Sequence, residues 1–95
     1  MIRIEVGPRL VKTARKLGPA VRAEAEERLA QLTRGFGNPH AHAGLGLRKI
    51  GKRSYEVRLS RQLRLVLVLH EGQLLAYDIL THDGVIAWLK GRNVR

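Results

Sequence analysis

Two arginines in neighbouring alternating segments are the side chains of this sequence best suited to chemistry on a phosphate. Arg58 and Arg64 occupy polar positions in two stretches where apolar and polar residues alternate. If each stretch is a β-strand, both arginines project from the same face of a sheet, opposite its core. Guanidinium groups bind a phosphate through paired hydrogen bonds and stabilise the extra negative charge that develops during phosphodiester cleavage.

The side chains that could move protons beside these arginines are His82 and Glu56. His82 follows the last alternating stretch, so the end of that strand would bring it to an edge of the arginine face. Histidine donates or accepts a proton near neutral pH, and the Glu56 carboxylate could accept the proton of an attacking hydroxyl. Cleavage of RNA by its own 2′-hydroxyl requires no metal, so we predict neither a metal site nor a cofactor.

The charge balance favours a polyanionic partner. The 95 residues include 18 lysines and arginines against 8 aspartates and glutamates, for a formal net charge of +10 at pH 7. This excess suits nucleic acid, an anionic membrane surface or an acidic protein better than a neutral metabolite. Apolar residues make up 44% of the chain, which argues against disorder, and the length predicts a single domain over residues 1–95.

Composition also excludes several classes of site. The absence of cysteine excludes a disulfide scaffold, a thiolate nucleophile and an iron–sulfur cluster. No apolar run approaches the roughly 20 residues of a membrane-spanning helix. The first residues alternate charged and apolar side chains, which is unlike a signal peptide. We therefore expect a cytoplasmic protein.

The first part of the chain is predicted to form one strand followed by two helices. Alternation over residues 2–6 predicts the strand, and apolar residues then recur at helical spacing up to Leu32. Gly18 and Pro19 divide this region, because glycine commonly follows the end of a helix and proline suits the first turn of the next. The two helices are therefore expected to form an antiparallel hairpin.

The second part is predicted to form a three-stranded meander and a last helix. Alternating stretches begin at Ser54, Leu63 and Leu74, the basic segment 48–53 is typical of a loop, and Asp83 begins the helix. The order β-α-α-β-β-β-α indicates an α+β domain, with the helical hairpin on one face of a small, mainly antiparallel sheet. The apolar positions expected to face the hairpin are Tyr55, Val57, Leu59, Leu63, Leu65, Leu67 and Leu69.

Two motifs in the second part resemble a known superfamily. The stretch from Leu47 to Val68 joins a basic, glycine-containing loop, the strand Tyr55-Glu56-Val57-Arg58 and a strand that opens with Arg64. The ending from Leu80 to Val85 leads from a strand through a His-Asp pair into a helix. With the element order, these motifs resemble the RelE/ParE toxin superfamily over nearly the whole chain, which implies a RelE-like fold.

The resemblance to the RelE branch implies an activity and roles for the candidate residues. Members of this branch are toxins of type II toxin–antitoxin systems, metal-independent endoribonucleases that cut mRNA on the ribosome and are held inactive by a cognate antitoxin. Arg58 and Arg64 match basic strand positions that would hold the scissile phosphate, and His82 matches a C-terminal histidine. Glu56 stands where other members place a lysine, and Ile86 stands where many relatives have a tyrosine.

The remaining basic residues of this region are assigned to electrostatic binding of mRNA and ribosomal RNA. Lys49, Lys52 and Arg53 form a charged run, and Arg61 lies in the turn before the next strand. Phosphate contacts by such residues supply most non-specific affinity for nucleic acid. The alternative is a solvated loop, since surface charges commonly bind only water.

Two other functions are compatible with the same residues. The ParE branch shares the fold and poisons DNA gyrase without a comparable nuclease centre. A catalytically degenerate relative would only bind nucleic acid or a protein partner. Ile86 in place of the tyrosine favours the degenerate relative, whereas His82 with two strand arginines favours the nuclease. In each case an antitoxin segment is expected to wrap the helical hairpin and cover the basic face, and no membrane partner is expected.

Overall fold

A five-stranded sheet lies between a helical hairpin and a C-terminal helix in the computed structural model, which describes residues 2–38, 42 and 44–93. No helix in these ranges is long and apolar enough to cross a membrane. The strands are β1 (Ile4–Val6), β2 (Leu47–Lys49), β3 (Ser54–Arg58), β4 (Leu63–His70) and β5 (Gln73–Thr81), and the helices are α1 (Pro8–Leu17), α2 (Pro19–Gly35) and α3 (His82–Asn93).

The sheet has the strand order β1-β5-β4-β3-β2. β1 runs parallel to β5, and every other neighbouring pair is antiparallel. The predicted α+β class and the predicted meander of β3, β4 and β5 are therefore confirmed. β1 joins the meander at its β5 edge, and β2 lies at the opposite edge of the sheet. α1 and α2 carry the chain from β1 to β2 across one face.

The segment 48–53 differs from its prediction as a loop. Arg48 and Lys49 belong to β2, which pairs with β3 and adds a fifth strand. Only the residues from Ile50 onward form the connection, where the Ser54 carbonyl accepts hydrogen bonds from the N–H groups of Ile50 and Gly51. A strand of three residues is too short for alternation to distinguish it from a loop. The last helix also begins one residue early, at His82.

The helical hairpin buries one face of the sheet. Gly18, with φ of 100°, turns the chain between the two helices in a conformation that side chains disfavour. Leu10 of α1 and Leu32 of α2 belong to the same buried core as Leu65 of β4. The other residues on this side are the buried Ala14, Ala25, Leu47, Val57, Leu67, Leu74, Ala76 and Ile79, with the predicted Tyr55, Leu59, Leu63 and Leu69 partly buried against them.

The opposite face of the sheet is partly covered by α3, which packs against β4 and β5. Val66, which alternates with the core residues of β4, is fully buried, and so is most of Val85 in α3. Further along α3, Leu89 Cδ2 lies 3.5 Å from where a Cβ on Gly51 would stand. The helix therefore extends from the end of β5 towards the β2–β3 connection.

α1 also supports the outer edge of β5. The register of β1 with β5 ends at the Val6–Ala76 pair. Beyond it, Thr13 Oγ1 donates a 2.6 Å hydrogen bond to Asp78 Oδ1, and the Arg9 guanidinium lies 5.7 Å from the centre of the Tyr77 ring. These contacts fix α1 beside the part of β5 that leads to His82.

Replacing Thr13 by valine removes the hydroxyl donor to the nearly buried Asp78 carboxylate. We expect the free energy of unfolding, measured by urea denaturation, to fall by about 1–3 kcal/mol. Thr33→Val is the matched control, because Thr33 Oγ1 donates to the Leu29 carbonyl within its own helix. Its effect should stay within about 0.5 kcal/mol. Equal losses in both variants would show that the contact between α1 and β5 has no special weight.

Candidate nucleic-acid interface

Arg58 and Arg64 are directly opposed on β3 and β4, near one end of the sheet. Their chain neighbours Val57 and Leu65 belong to the core on the hairpin side. Because side chains alternate across a strand, the two arginines lie on the other face, as the sequence predicted. Opposed residues of antiparallel strands have Cβ atoms about 4.5–5.5 Å apart, so one phosphate could contact both guanidinium groups.

The Arg64 guanidinium is held by the protein itself. Its Nε lies 3.0 Å from Glu56 Oε2, and these side chains are only 12% and 9% exposed. Its Nη1 donates to the carbonyls of Ser60, Arg61 and Leu63 over 3.0–3.2 Å. Arg64 therefore closes the β3–β4 turn, and Nη2 is the nitrogen that these contacts leave for a ligand.

Glu56 offsets the repulsion between the opposed arginines. Like charges placed directly across a strand pair are destabilising, and a carboxylate bound to one of them reduces that cost. The ion pair leaves the two guanidinium groups in different states. The Arg64 side chain is paired and largely buried, whereas the Arg58 side chain is exposed and has no hydrogen bond or ion pair within the described residues.

His82 lies at the same end of the sheet. Leu80 of β5 is opposite Arg64, so His82 stands two residues, or about 7 Å along the strand, beyond the arginine pair. Its backbone N–H donates to the Gln62 carbonyl over 3.2 Å, which joins the start of α3 to the β3–β4 turn. The His82 side chain is exposed and forms no hydrogen bond with the described residues.

The position of His82 depends on a close approach between β5 and α3. The Gly84 N–H donates to Thr81 Oγ1 over 3.0 Å, which satisfies one of the free N–H groups in the first turn of the helix. A Cβ on Gly84 would stand only 3.0 Å from the same oxygen. Glycine therefore lets α3 begin directly at the end of the strand.

The basic residues assigned to RNA binding do not form one group. Arg61 lies in the β3–β4 turn, beside Arg64. Lys52 and Arg53 lie in the β2–β3 connection, and the Arg53 carbonyl accepts a hydrogen bond from Leu69 at the far end of β4. From Arg53 to Arg58 is about 17 Å along the strand direction of β3. The structure brings Arg61 to the arginine pair and places Lys52 and Arg53 at the opposite end of the sheet.

β2 distributes its two charged residues between the two faces. Arg48 is opposite Glu56, so it lies on the arginine face, whereas Lys49 is opposite Tyr55, which packs on the hairpin side. Lys49 was among the residues predicted to bind RNA, and Arg48 was not. The signal available was the buried Leu47 that precedes Arg48, but its use requires the register with β3, which the alternation pattern does not supply.

Comparison with solved structures assigns the fold. The chain aligns with one from the RelB–RelE antitoxin–toxin complex of Methanococcus jannaschii at a TM-score of 0.66 and 10% identity, covering 88% of this chain and 96% of that one. A chain of the Staphylococcus aureus YoeB–YefM complex gives 0.62 and 18%, covering 86% and 98%. E. coli YafQ gives 0.56 and 16%, covering 90% and 98%. The chain has the RelE-like toxin fold. No protein-family model and no curated protein sequence matches it.

Within this RelE-like fold, the two sides of α3 have different surroundings. The Trp88 ring stacks on Tyr77 with ring centres 5.3 Å apart, so that side packs against β5. Ile86 is 42% exposed and lies four residues after His82, on the side of the helix that also carries Leu89. The position expected to hold a tyrosine is therefore an exposed aliphatic side chain on the His82 side of α3.

A separate apolar groove runs between β1, α1 and α2 of the RelE-like domain. It encloses about 190 Å³. Val6 and Val11 in its lining are 47% and 42% exposed, which is unusual for large apolar residues, and Arg15, Arg22 and Glu26 border it. Exposed apolar surface with a charged rim is typical of a protein interaction site. The remaining lining residues are Leu10, Ala14, Ala25 and Leu29.

Replacing Glu56 by alanine is expected to destabilise the protein, because it leaves the largely buried Arg64 charge without its partner. We expect a loss of about 3–5 kcal/mol in the free energy of unfolding, measured by urea denaturation. Glu26→Ala breaks the Arg22–Glu26 pair, whose side chains are 65% and 66% exposed. That control should change stability by no more than about 0.5 kcal/mol. If Glu56→Ala is equally mild, the pair does not organise the site.

Proposed function

We propose that this protein is the toxin of a type II toxin–antitoxin system and that it cleaves mRNA on the ribosome. One observation carries the proposal: Arg58, Arg64 and His82 lie at the same end of the sheet, and the Arg58 and His82 side chains are exposed and unpaired within the described residues. The RelE-like fold and the net charge of +10 support the same function.

The proposed reaction uses the RNA as its own nucleophile. The 2′-oxygen bonds to the adjacent phosphorus and the P–O5′ bond breaks, which leaves a 2′,3′-cyclic phosphate and a 5′-hydroxyl. One protein group accepts the 2′-hydroxyl proton and another donates a proton to the leaving oxygen. Arg58 neutralises the oxygens of the scissile phosphate as their charge increases, and the Nη2 of Arg64 adds a second donor.

His82 and Glu56 divide the proton transfers in this proposal. His82 is exposed, so it reaches the RNA without rearrangement and serves as general acid or base. The Glu56 carboxylate is bound to Arg64 in the free protein. A phosphate that draws Arg64 towards itself would release Glu56 to accept the 2′-hydroxyl proton. Arg61, Lys52 and Arg53 are assigned to attraction of mRNA and ribosomal RNA phosphates. Lys49 lies on the hairpin side of the sheet and is left out of this assignment.

We assign the groove between β1, α1 and α2 to the cognate antitoxin. Two of the solved structures with the same fold are the RelB–RelE antitoxin–toxin complex and the E. coli DinJ–YafQ toxin–antitoxin complex. The apolar lining suits a segment with apolar side chains on one face, and Arg15 and Arg22 on the rim suit acidic residues on its flanks. This groove accounts for the hairpin part of the expected antitoxin contact, and the expected cover of the basic face stays a prediction.

Production of the protein alone in a bacterial host, with mapping of mRNA 5′ ends, tests the proposed activity. We expect new ends inside translated codons, and an in vitro cleavage rate on programmed ribosomes that falls by about 10²–10³ in Arg58→Ala and in His82→Gln. Arg34→Ala, an exposed arginine of α2, is the control for loss of one positive charge and should cleave like the wild type.

Each other outcome of this experiment contradicts either the nuclease activity or its proposed site. Growth arrest with intact mRNA and with DNA damage would indicate inhibition of gyrase. No arrest, together with salt-dependent RNA binding, would indicate a degenerate binding protein. Cleavage that persists in Arg58→Ala would place the reaction elsewhere on the surface.

Val11→Glu tests the antitoxin groove. A carboxylate at this exposed apolar position would oppose the expected acidic flanks and disrupt the apolar contact. We expect co-expression of the antitoxin to restore growth with the wild-type toxin and to fail with Val11→Glu, while toxicity itself is unchanged. Leu17→Glu, which places the same charge on an exposed residue outside the groove, should remain neutralised. Equal rescue of both variants would contradict the assignment.

A further inference from the structure

We propose that Arg48 is a further phosphate-binding residue and that the RNA backbone crosses the sheet from the β3–β4 turn over β3 to β2. This inference rests on the proposed action on RNA. It assigns a path for the RNA strand beyond the scissile phosphate. The candidate residues of β3, β4 and α3 do not define that path.

The register of β2 with β3 places Arg48 near Arg58. Arg48 is opposite Glu56, and Arg58 lies two residues further along β3 on the same face. Diagonal neighbours of this kind are about 7–8 Å apart. That separation resembles the distance between consecutive phosphates of an extended RNA strand, so Arg48 and Arg58 can contact neighbouring phosphates.

The Glu56–Arg64 ion pair leaves Arg48 without an acidic partner among the described residues. Glu56 is the acidic residue directly across from Arg48, and it would neutralise Arg48 if it were not bound to Arg64 at 3.0 Å. Arg48 is instead exposed and has no ion pair or hydrogen bond through its side chain within the described residues. Two unpaired guanidinium groups, on β2 and β3, therefore flank the buried ion pair.

α3 covers only part of the sheet face that carries the arginines. α3 packs on β4 and β5, and its Leu89 approaches the β2–β3 connection at Gly51. Arg48 and Arg58 remain exposed on the two outer strands of this edge. An RNA strand that enters beside Arg61 and the arginine pair can therefore continue over Arg58 to Arg48 without passing beneath α3.

Lys49 provides a matched control within the same strand. It is adjacent to Arg48 and equally charged and exposed, but its position opposite Tyr55 places it on the hairpin side of the sheet. Arg48→Gln and Lys49→Gln each remove one positive charge from the same edge strand. The two variants therefore share the same net charge and differ in which face loses the charge.

The test measures binding of a short 2′-O-methyl oligouridine to the full chain by fluorescence anisotropy over a series of KCl concentrations. The methyl groups block cleavage, so binding is measured alone. We expect Arg48→Gln to bind several-fold more weakly, with the slope of log K against log salt smaller in magnitude by about 0.7, as for loss of one phosphate contact. Lys49→Gln should retain the wild-type slope. Circular dichroism confirms that both variants are folded.

The outcomes separate this inference from the proposed function. An unchanged slope in Arg48→Gln, with a reduced slope in Arg58→Ala, would overturn the role of Arg48 and leave the nuclease intact. Equal losses in Arg48→Gln and Lys49→Gln would show attraction by net charge and would also overturn it. Wild-type protein that shows no salt-dependent binding would overturn the proposed action on RNA, and the inference with it.

Discussion

The ion pair between Arg64 and Glu56 is the interaction on which the candidate site depends. It allows two arginines to stand directly opposite each other on β3 and β4, an arrangement that like charges otherwise oppose. The same guanidinium binds three carbonyls of the β3–β4 turn, to which the backbone of His82 is also tied through Gln62. Both partners are largely buried, so removal of either leaves an uncompensated charge.

The two helical layers determine where on the sheet a polyanion can bind. The hairpin covers one face, and α3 crosses β4 and β5 on the other. The Thr81 hydroxyl, the small Gly84 and the stacking of Trp88 on Tyr77 fix the start and one side of that helix. What remains open is the edge formed by β2 and β3. The exposed guanidinium groups of Arg48 and Arg58 lie there, beside the buried Glu56–Arg64 pair.

Helical spacing with Gly18 and Pro19 was sufficient to predict the hairpin. Alternation of apolar and polar residues was sufficient to predict the meander and the placement of Arg58 and Arg64 on one face of it. Three residues carry too little periodicity to define the extent and register of β2, so alternation missed Arg48 and treated Lys49 as part of a loop. It also grouped Lys52 and Arg53 with Arg61, although the length of β3 separates them. The contact of Arg64 with Glu56 depends on a diagonal approach across two strands, which only the register reveals.

The paired state of Arg64 has a consequence for the proposed reaction. In the free protein, Glu56 holds the guanidinium that a phosphate needs, and Arg64 holds the carboxylate that could act as base. A phosphate placed by the exposed Arg58 competes with Glu56 for Arg64, and the exchange of partners keeps the charge of Arg64 compensated throughout. Binding of the scissile phosphate and release of the base are then one event. A substrate that fails to reach Arg58 leaves the ion pair closed, which confines the chemistry to correctly positioned RNA.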